Sequence, residues 1–109
     1  MKAYIYLFLA IIFEVLGTLL IPASKNFTKI LPTAILSISY FTSFYFLSFA
    51  VNKLPLTVVY ASWSGLGIFT IAIFGYFFFK QSLSWQAVLG LFLIVAGVVL
   101  VNSFSSRVI

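Results

Sequence analysis

The chain has 109 residues, 64% of them hydrophobic and 6% charged, with six Lys or Arg, one acidic residue and a formal net charge of +5. A water-facing domain carries about 25% charged residues, so a soluble fold is excluded; the absence of Cys and His removes disulfides, thiol chemistry and the commonest metal ligand and general base. The basic residues Lys2, Lys25, Lys29, Lys53, Lys80 and Arg107 are spread one or two per polar break, which suits lipid headgroups and not a nucleic-acid surface, where they would cluster on one face.

The first apolar run, roughly 4–21, contains the only acidic residue, Glu14. A carboxyl group in hydrocarbon is costly, so an ionisable residue within a span is a functional candidate by default. At helical spacing from it stand Leu7, Ala10, Ile11, Gly17 and Thr18. Ala10 and Gly17 are small and leave room beside the carboxyl for another helix or for a ligand. No Lys or Arg lies inside a span. The charge partners open to Glu14 are therefore a proton, a bound cation or a group from outside the chain. The structural alternative is a protonated Glu14 bonded to Ser or Thr on a neighbouring helix. A cleaved signal peptide, loosely matched by Lys2 and Pro22-Ala23-Ser24, fits less well, because a carboxylate interrupts the apolar stretch and no soluble domain follows.

The second run, roughly 31–51, places Tyr40, Phe44 and Leu47 on one face. The third, roughly 56–79, places Tyr60, Trp63, Ser64 and Gly67 on one face at i, i+3, i+4, i+7 spacing. Aromatic faces attract cations, worth about 2 kcal/mol or more in a dry site, and a tyrosine hydroxyl can steer a carboxylate. Taken alone, such a stripe is ordinary core packing; beside a lone carboxyl it points to a cation site. Trp63 lies too deep for an interfacial anchor, a role that suits Trp85. Gly65 and Gly67 read either as a bend or as close packing. The fourth run, roughly 85–104, has no ionisable residue, and Gly90, Ile94 and Gly97 share one face. That small-residue seam reads as a dimerisation element.

Each run matches the ~20 residues that span a bilayer, and the short breaks place consecutive helices antiparallel. The expected fold is a single all-α integral membrane domain over 1–109 with four transmembrane helices. A barrel is excluded because the runs are continuously apolar. With four spans, Lys2, Lys53 and Arg107 fall on one side and Lys25, Lys29 and Lys80 on the other. This three-to-three balance removes the usual Lys/Arg bias that sets orientation. It permits insertion both ways and hence an antiparallel dimer, unless Lys2 with the N-terminal amine fixes one topology. One four-helix subunit with a single carboxylate can hardly enclose a pathway, so a dimer is expected.

The chain resembles the small multidrug resistance family of bacterial four-helix exporters over nearly its whole length. The resemblance rests on Ala10-Ile11 and Glu14-Val15-Leu16-Gly17-Thr18, then Phe27-Thr28, Pro32, Tyr40 and Ser43-Phe44. Its strongest block is Tyr60-Ala61-Ser62-Trp63-Ser64-Gly65-Leu66-Gly67-Ile68, followed by Gly90 and Ala96-Gly97. It implies an antiparallel homodimer, or a heterodimer of paired homologues, in a bacterial inner membrane, with no enzyme activity, no metal and no cofactor beyond the coupling proton. It implies exchange of protons for lipophilic aromatic or quaternary ammonium cations at a central site where two Glu14 carboxyls meet. The pocket lining it implies is Leu7, Ala10, Ile11, Gly17, Thr18, Tyr40, Phe44, Tyr60 and Trp63. The helix-three kink would fall on Gly65 and Gly67, and the dimer seam on Gly90, Ile94 and Gly97.

Pro22, Lys25-Asn26, Phe8 and Leu9 depart from the family pattern, which has Lys near the end of helix one, Glu-Gly in the first loop and small residues near positions 8 and 9. A differently shaped first loop is expected. A guanidinium exporter is disfavoured by Leu16-Gly17, because that subtype resembles a pattern with Trp beside the glutamate. One half of a heterodimer, as for polyamines, is disfavoured by the balanced charge. A structural membrane subunit or small pore would keep working without Glu14.

Overall fold

The four apolar runs become four helices in the computed structural model, which describes residues 2–104; Met1 and residues 105–109, and with them Arg107, lie outside the described residues. Helix α1 spans Lys2–Leu19, α2 Ile30–Ala50, α3 Leu56–Phe78 and α4 Trp85–Phe104, with a 3₁₀ turn at Pro22–Ser24. Their 18, 21, 23 and 20 residues suit a hydrocarbon layer of about 30 Å at 1.5 Å per residue, and all four are apolar enough to cross it. The protein is a multi-pass, all-α membrane protein. Helix α1 ends before its apolar run does, because Leu20 and Ile21 bond back to the Gly17 and Thr18 carbonyls and tighten the chain.

Lipid tails are as apolar as leucine, so helix association here depends on close fit and on interhelical hydrogen bonds. Helix α1 supplies the fit with Ala3, Ala10 and Gly17, all buried and each seven residues from the next. A Cβ at Gly17 would lie 3.3 Å from both the Leu36 carbonyl oxygen and the Tyr40 ring, which is how closely α2 approaches. Leu7, Ile11 and Val15 pack with Ala50, Leu54 and Val59 into the core cluster. Helix α1 therefore lies between α2 and α3, whereas α4 rests chiefly on α3. The α3–α4 contact is made at Gly65, where a Cβ would fall 2.5 Å from Val98 Cγ2 and 3.2 Å from Ile94 Cγ2.

The assembly measures 44 × 34 × 18 Å. With one extent less than half of the longest, the chain is a flat slab about two helix layers deep.

Loop 1 is tight. Ser24 is fully buried; its hydroxyl donates to the Ile21 carbonyl (2.7 Å) and accepts the Phe27 N–H (3.1 Å). Its carbonyl accepts the Thr28 and Lys29 N–H groups. This staple holds Lys25, Asn26 and Phe27 at φ of 51°, 60° and 67°, a left-handed run that is strained for a bulky residue such as Phe27. Pro22 opens the 3₁₀ turn, where its missing N–H is not needed. Pro22 and Lys25-Asn26, where the first loop departs from the family pattern, thus lie in a compact turn stapled by Ser24.

Candidate functional site

Glu14 sits midway along α1 and is half-buried. Its Oε2 accepts a hydrogen bond from Thr18 Oγ1 at 2.7 Å, one turn further along the same helix. Thr18 Oγ1 lies 2.6 Å from Tyr40 Oη on α2. Because the Thr18 proton is given to Glu14, Tyr40 donates to Thr18. The result is a chain of hydroxyls, Tyr40 to Thr18 to Glu14, aimed at one oxygen of the carboxyl. The other oxygen, Oε1, is buried and has no hydrogen-bond partner among the described residues. It lies where a side chain at Gly67 of α3 would begin. An orphaned buried carboxyl oxygen is costly, and no ion pair relieves this one among the described residues.

The aromatic residues gather one turn toward the start of α1. Trp63 Nε1 donates to Ser43 Oγ (3.1 Å), which donates to the Ala10 carbonyl (2.6 Å). Phe44 and Tyr60 flank the Trp63 ring, with centroids 5.6 Å and 6.0 Å away. Together with Leu47, Val51, Leu56 and Val59 they line an open groove of about 340 Å³ between α2 and α3. Phe44 and Tyr60 are more than half exposed, so their faces are free to meet a ligand. Trp63 is fixed at its nitrogen, which orients the ring without covering it. A second groove, of about 370 Å³, runs from Thr18 past Ile71 and Gly75 to Phe79 and Gln81 near loop 3.

The structure brings together Glu14, Thr18, Tyr40, Gly17 and Gly67 in one cluster, and Phe44, Tyr60 and Trp63 in another. Leu7, Ala10 and Ile11 are buried within the chain; Ala10 meets the site through its carbonyl. The alternative of a Glu14 bond to a neighbouring helix is replaced by a bond within α1. Helix α3 is continuous through Gly65 and Gly67, and both glycines are used for close approach, to α4 and to Glu14 respectively. Gly90 and Gly97 have nothing within 4 Å of an added Cβ, whereas Ile94, 39% exposed, also reaches toward Gly65 of α3 through its Cγ2. Of the seam proposed on α4, the two glycines are left open by the chain's own described residues and Ile94 is shared with the α3 contact.

Ser43 was not singled out from the sequence as a site residue. It is fully buried and makes two hydrogen bonds; its signals were a hydroxyl one turn from Tyr40 and its place in the Ser43-Phe44 match. A further polar cluster was also missed. Asn102 on α4 accepts from Tyr4 Oη (3.3 Å) and donates to Ser62 Oγ and to the Val98 carbonyl (both 2.9 Å).

The family model described as Small Multidrug Resistance protein matches residues 2–94. The chain is 41% identical over 103 residues to the quaternary ammonium compound-resistance protein QacH of Staphylococcus saprophyticus, covering 94% of this chain and 96% of that protein. It is 40% identical over 105 residues to the quaternary ammonium compound-resistance protein QacE of Escherichia coli, covering 96% of each. It is 39% identical over 99 residues to the multidrug resistance protein EbrA of Bacillus atrophaeus, covering 91% of this chain and 94% of that one.

Proposed function

The chain belongs to the small multidrug resistance family, and from that premise we propose that it exports lipophilic quaternary ammonium and aromatic cations in exchange for protons, as an antiparallel homodimer in a bacterial inner membrane. The observation that carries this reading is the pairing of one unneutralised carboxyl, with an unpartnered buried oxygen, and an open aromatic groove on the same slab. Relatives named for quaternary ammonium resistance support the substrate class. The slab shape supports the dimer: a subunit 18 Å thick lines half a pathway, and a second copy supplies the other half and a second Glu14. The open Gly90 and Gly97 face of α4, with Ile94 at its edge, is the seam through which the copies associate.

Two ionised carboxylates in one low-dielectric site repel. Protons relieve this, and so does a lipophilic cation whose rings stack on Phe44, Tyr60 and Trp63. Both compete for the same carboxyls, so one leaves as the other binds. Alternate exposure of the site to each face, by rocking of inverted subunits, turns competition into antiport. Each elementary charge moved across the membrane is worth about 2.3 kcal/mol per 100 mV. Of the assigned pocket lining, Thr18 and Tyr40 belong to that assembled site, and Leu7, Ala10, Ile11 and Gly17 back it from within the chain.

Adding tetraphenylphosphonium to the detergent-solubilised protein tests this directly. Protons are released by the parent and not by Glu14→Gln. No release from the parent, or equal release from the variant, overturns the competition model. Resistance to toxic cations in cells making this chain alone separates a homodimer from half of a heterodimer.

A further inference from the structure

We infer that Gly67 is a positioning residue for the Glu14 carboxyl: the absence of a side chain there forms a notch in α3 that seats Oε1 and fixes the direction in which the carboxyl faces. The inference rests on the exporter reading for its consequence, but its geometry stands on the chain alone. Oε2 is held by Thr18, and Thr18 by Tyr40. Oε1 has no partner and occupies the space that a Cβ at position 67 would need. A carboxyl tethered at one oxygen still turns about its last torsions, which are broad for such a group. The notch removes that freedom. It also places the unpartnered oxygen against backbone, where no side-chain donor competes with an incoming proton.

Gly65 provides an internal control. It lies two residues away on the same unbroken helix, and a Cβ there would meet Ile94 and Val98 of α4 and not the carboxyl. A general packing fault in α3 would appear at both glycines; a seat for Glu14 is lost only at Gly67. The titratable group facing the carboxyl from α2 is Tyr40, through Thr18. On α3, Tyr60 is engaged with Trp63 and Tyr76 lies at the far end, and α4 carries no ionisable side chain.

The test uses a property of this sequence. Glu14 is the only Asp or Glu, so the side-chain carboxyl band in the infrared difference between the protein and Glu14→Gln belongs to one group. That band is read in the full-length protein in lipid. In Gly67→Ala the band moves in frequency and broadens as the carboxyl loses its seat, and in Gly65→Ala it stays with the parent. Coincidence of Gly67→Ala with the parent, or an equal displacement by Gly65→Ala, overturns the notch. Should Gly67→Ala fail to fold, Glu14→Asp/Gly67→Ala decides. Asp is shorter by one carbon–carbon bond, ~1.5 Å, which withdraws the carboxyl from the added methyl. Recovery of folded protein in the double variant supports the seat, and failure to recover overturns it. Because the band needs no ligand, loss of the notch and loss of the exporter reading are told apart: the second is judged by cation-induced proton release from the parent.

Discussion

Two of the polar clusters in the membrane part of this chain, those around Asn102 and Glu14, differ in one respect that separates their roles. In the cluster around Asn102, the carboxamide oxygen accepts from Tyr4 and the nitrogen donates to both Ser62 and the Val98 carbonyl. Every polar atom of that amide has a partner. In the cluster around Glu14, the hydroxyls of Thr18 and Tyr40 serve one carboxyl oxygen and leave the other empty-handed. A satisfied network holds helices together; a network one bond short keeps a place for something that arrives. The first ties α4 to α1 and α3, and the second leaves a free acceptor for a proton.

The contrast can be broken by substitution, starting with the largest effect. Glu14→Gln removes the acceptor charge, and cation-linked proton release and cellular resistance are both lost; a variant that still releases protons would place the site elsewhere. Thr18→Val keeps the shape and deletes the one donor to the carboxyl. A hydrogen bond to a charged group is worth about 1.5–3 kcal/mol, so the apparent affinity for tetraphenylphosphonium in detergent changes by about tenfold or more. Tyr40→Phe deletes only the end of the chain and gives a smaller change in the same assay, of about fivefold for a bond of about 1 kcal/mol. Asn102→Leu is the complementary case. Interhelical hydrogen bonds in bilayers average about 0.6 kcal/mol and reach about 1.7. The variant therefore loses about 1 kcal/mol or less of unfolding stability in mixed micelles, with cation affinity within about twofold of the parent. If Asn102→Leu abolishes binding while Thr18→Val does not, the two clusters have been assigned the wrong way round.

Much of this was legible in the residues. Four spans followed from run length, and Glu14, Tyr40, Tyr60 and Trp63 stood out because their chemistry is rare in hydrocarbon. The pairing of Glu14 with Thr18 was less so: i+4 spacing was visible, but Thr18 was placed in the pocket lining, and a hydroxyl partner for the carboxyl was looked for on a neighbouring helix. Gly67 carries no chemistry in its letter, and only the position of Oε1 gives its missing side chain a meaning. Asn102, Ser62 and Tyr4 are joined across 40 and 98 positions of sequence, a tertiary fact that no local pattern contains. Loop 1 was expected to differ in shape because of Pro22 and Lys25-Asn26. Its actual form depends on one buried hydroxyl, Ser24, whose letter is among the commonest in loops.

The seam of Ala3, Ala10 and Gly17 has a consequence for how such a chain diversifies under selection by toxic compounds. All three positions are buried, and at Gly17 even a Cβ would lie 3.3 Å from the Leu36 carbonyl oxygen, so larger side chains there disturb the packing of α1. Phe44 and Tyr60 stand half-open on the groove and can be exchanged without disturbing the helix contacts. New substrate preferences should therefore arise on the α2 and α3 rim, while the buried face of α1 stays as it is.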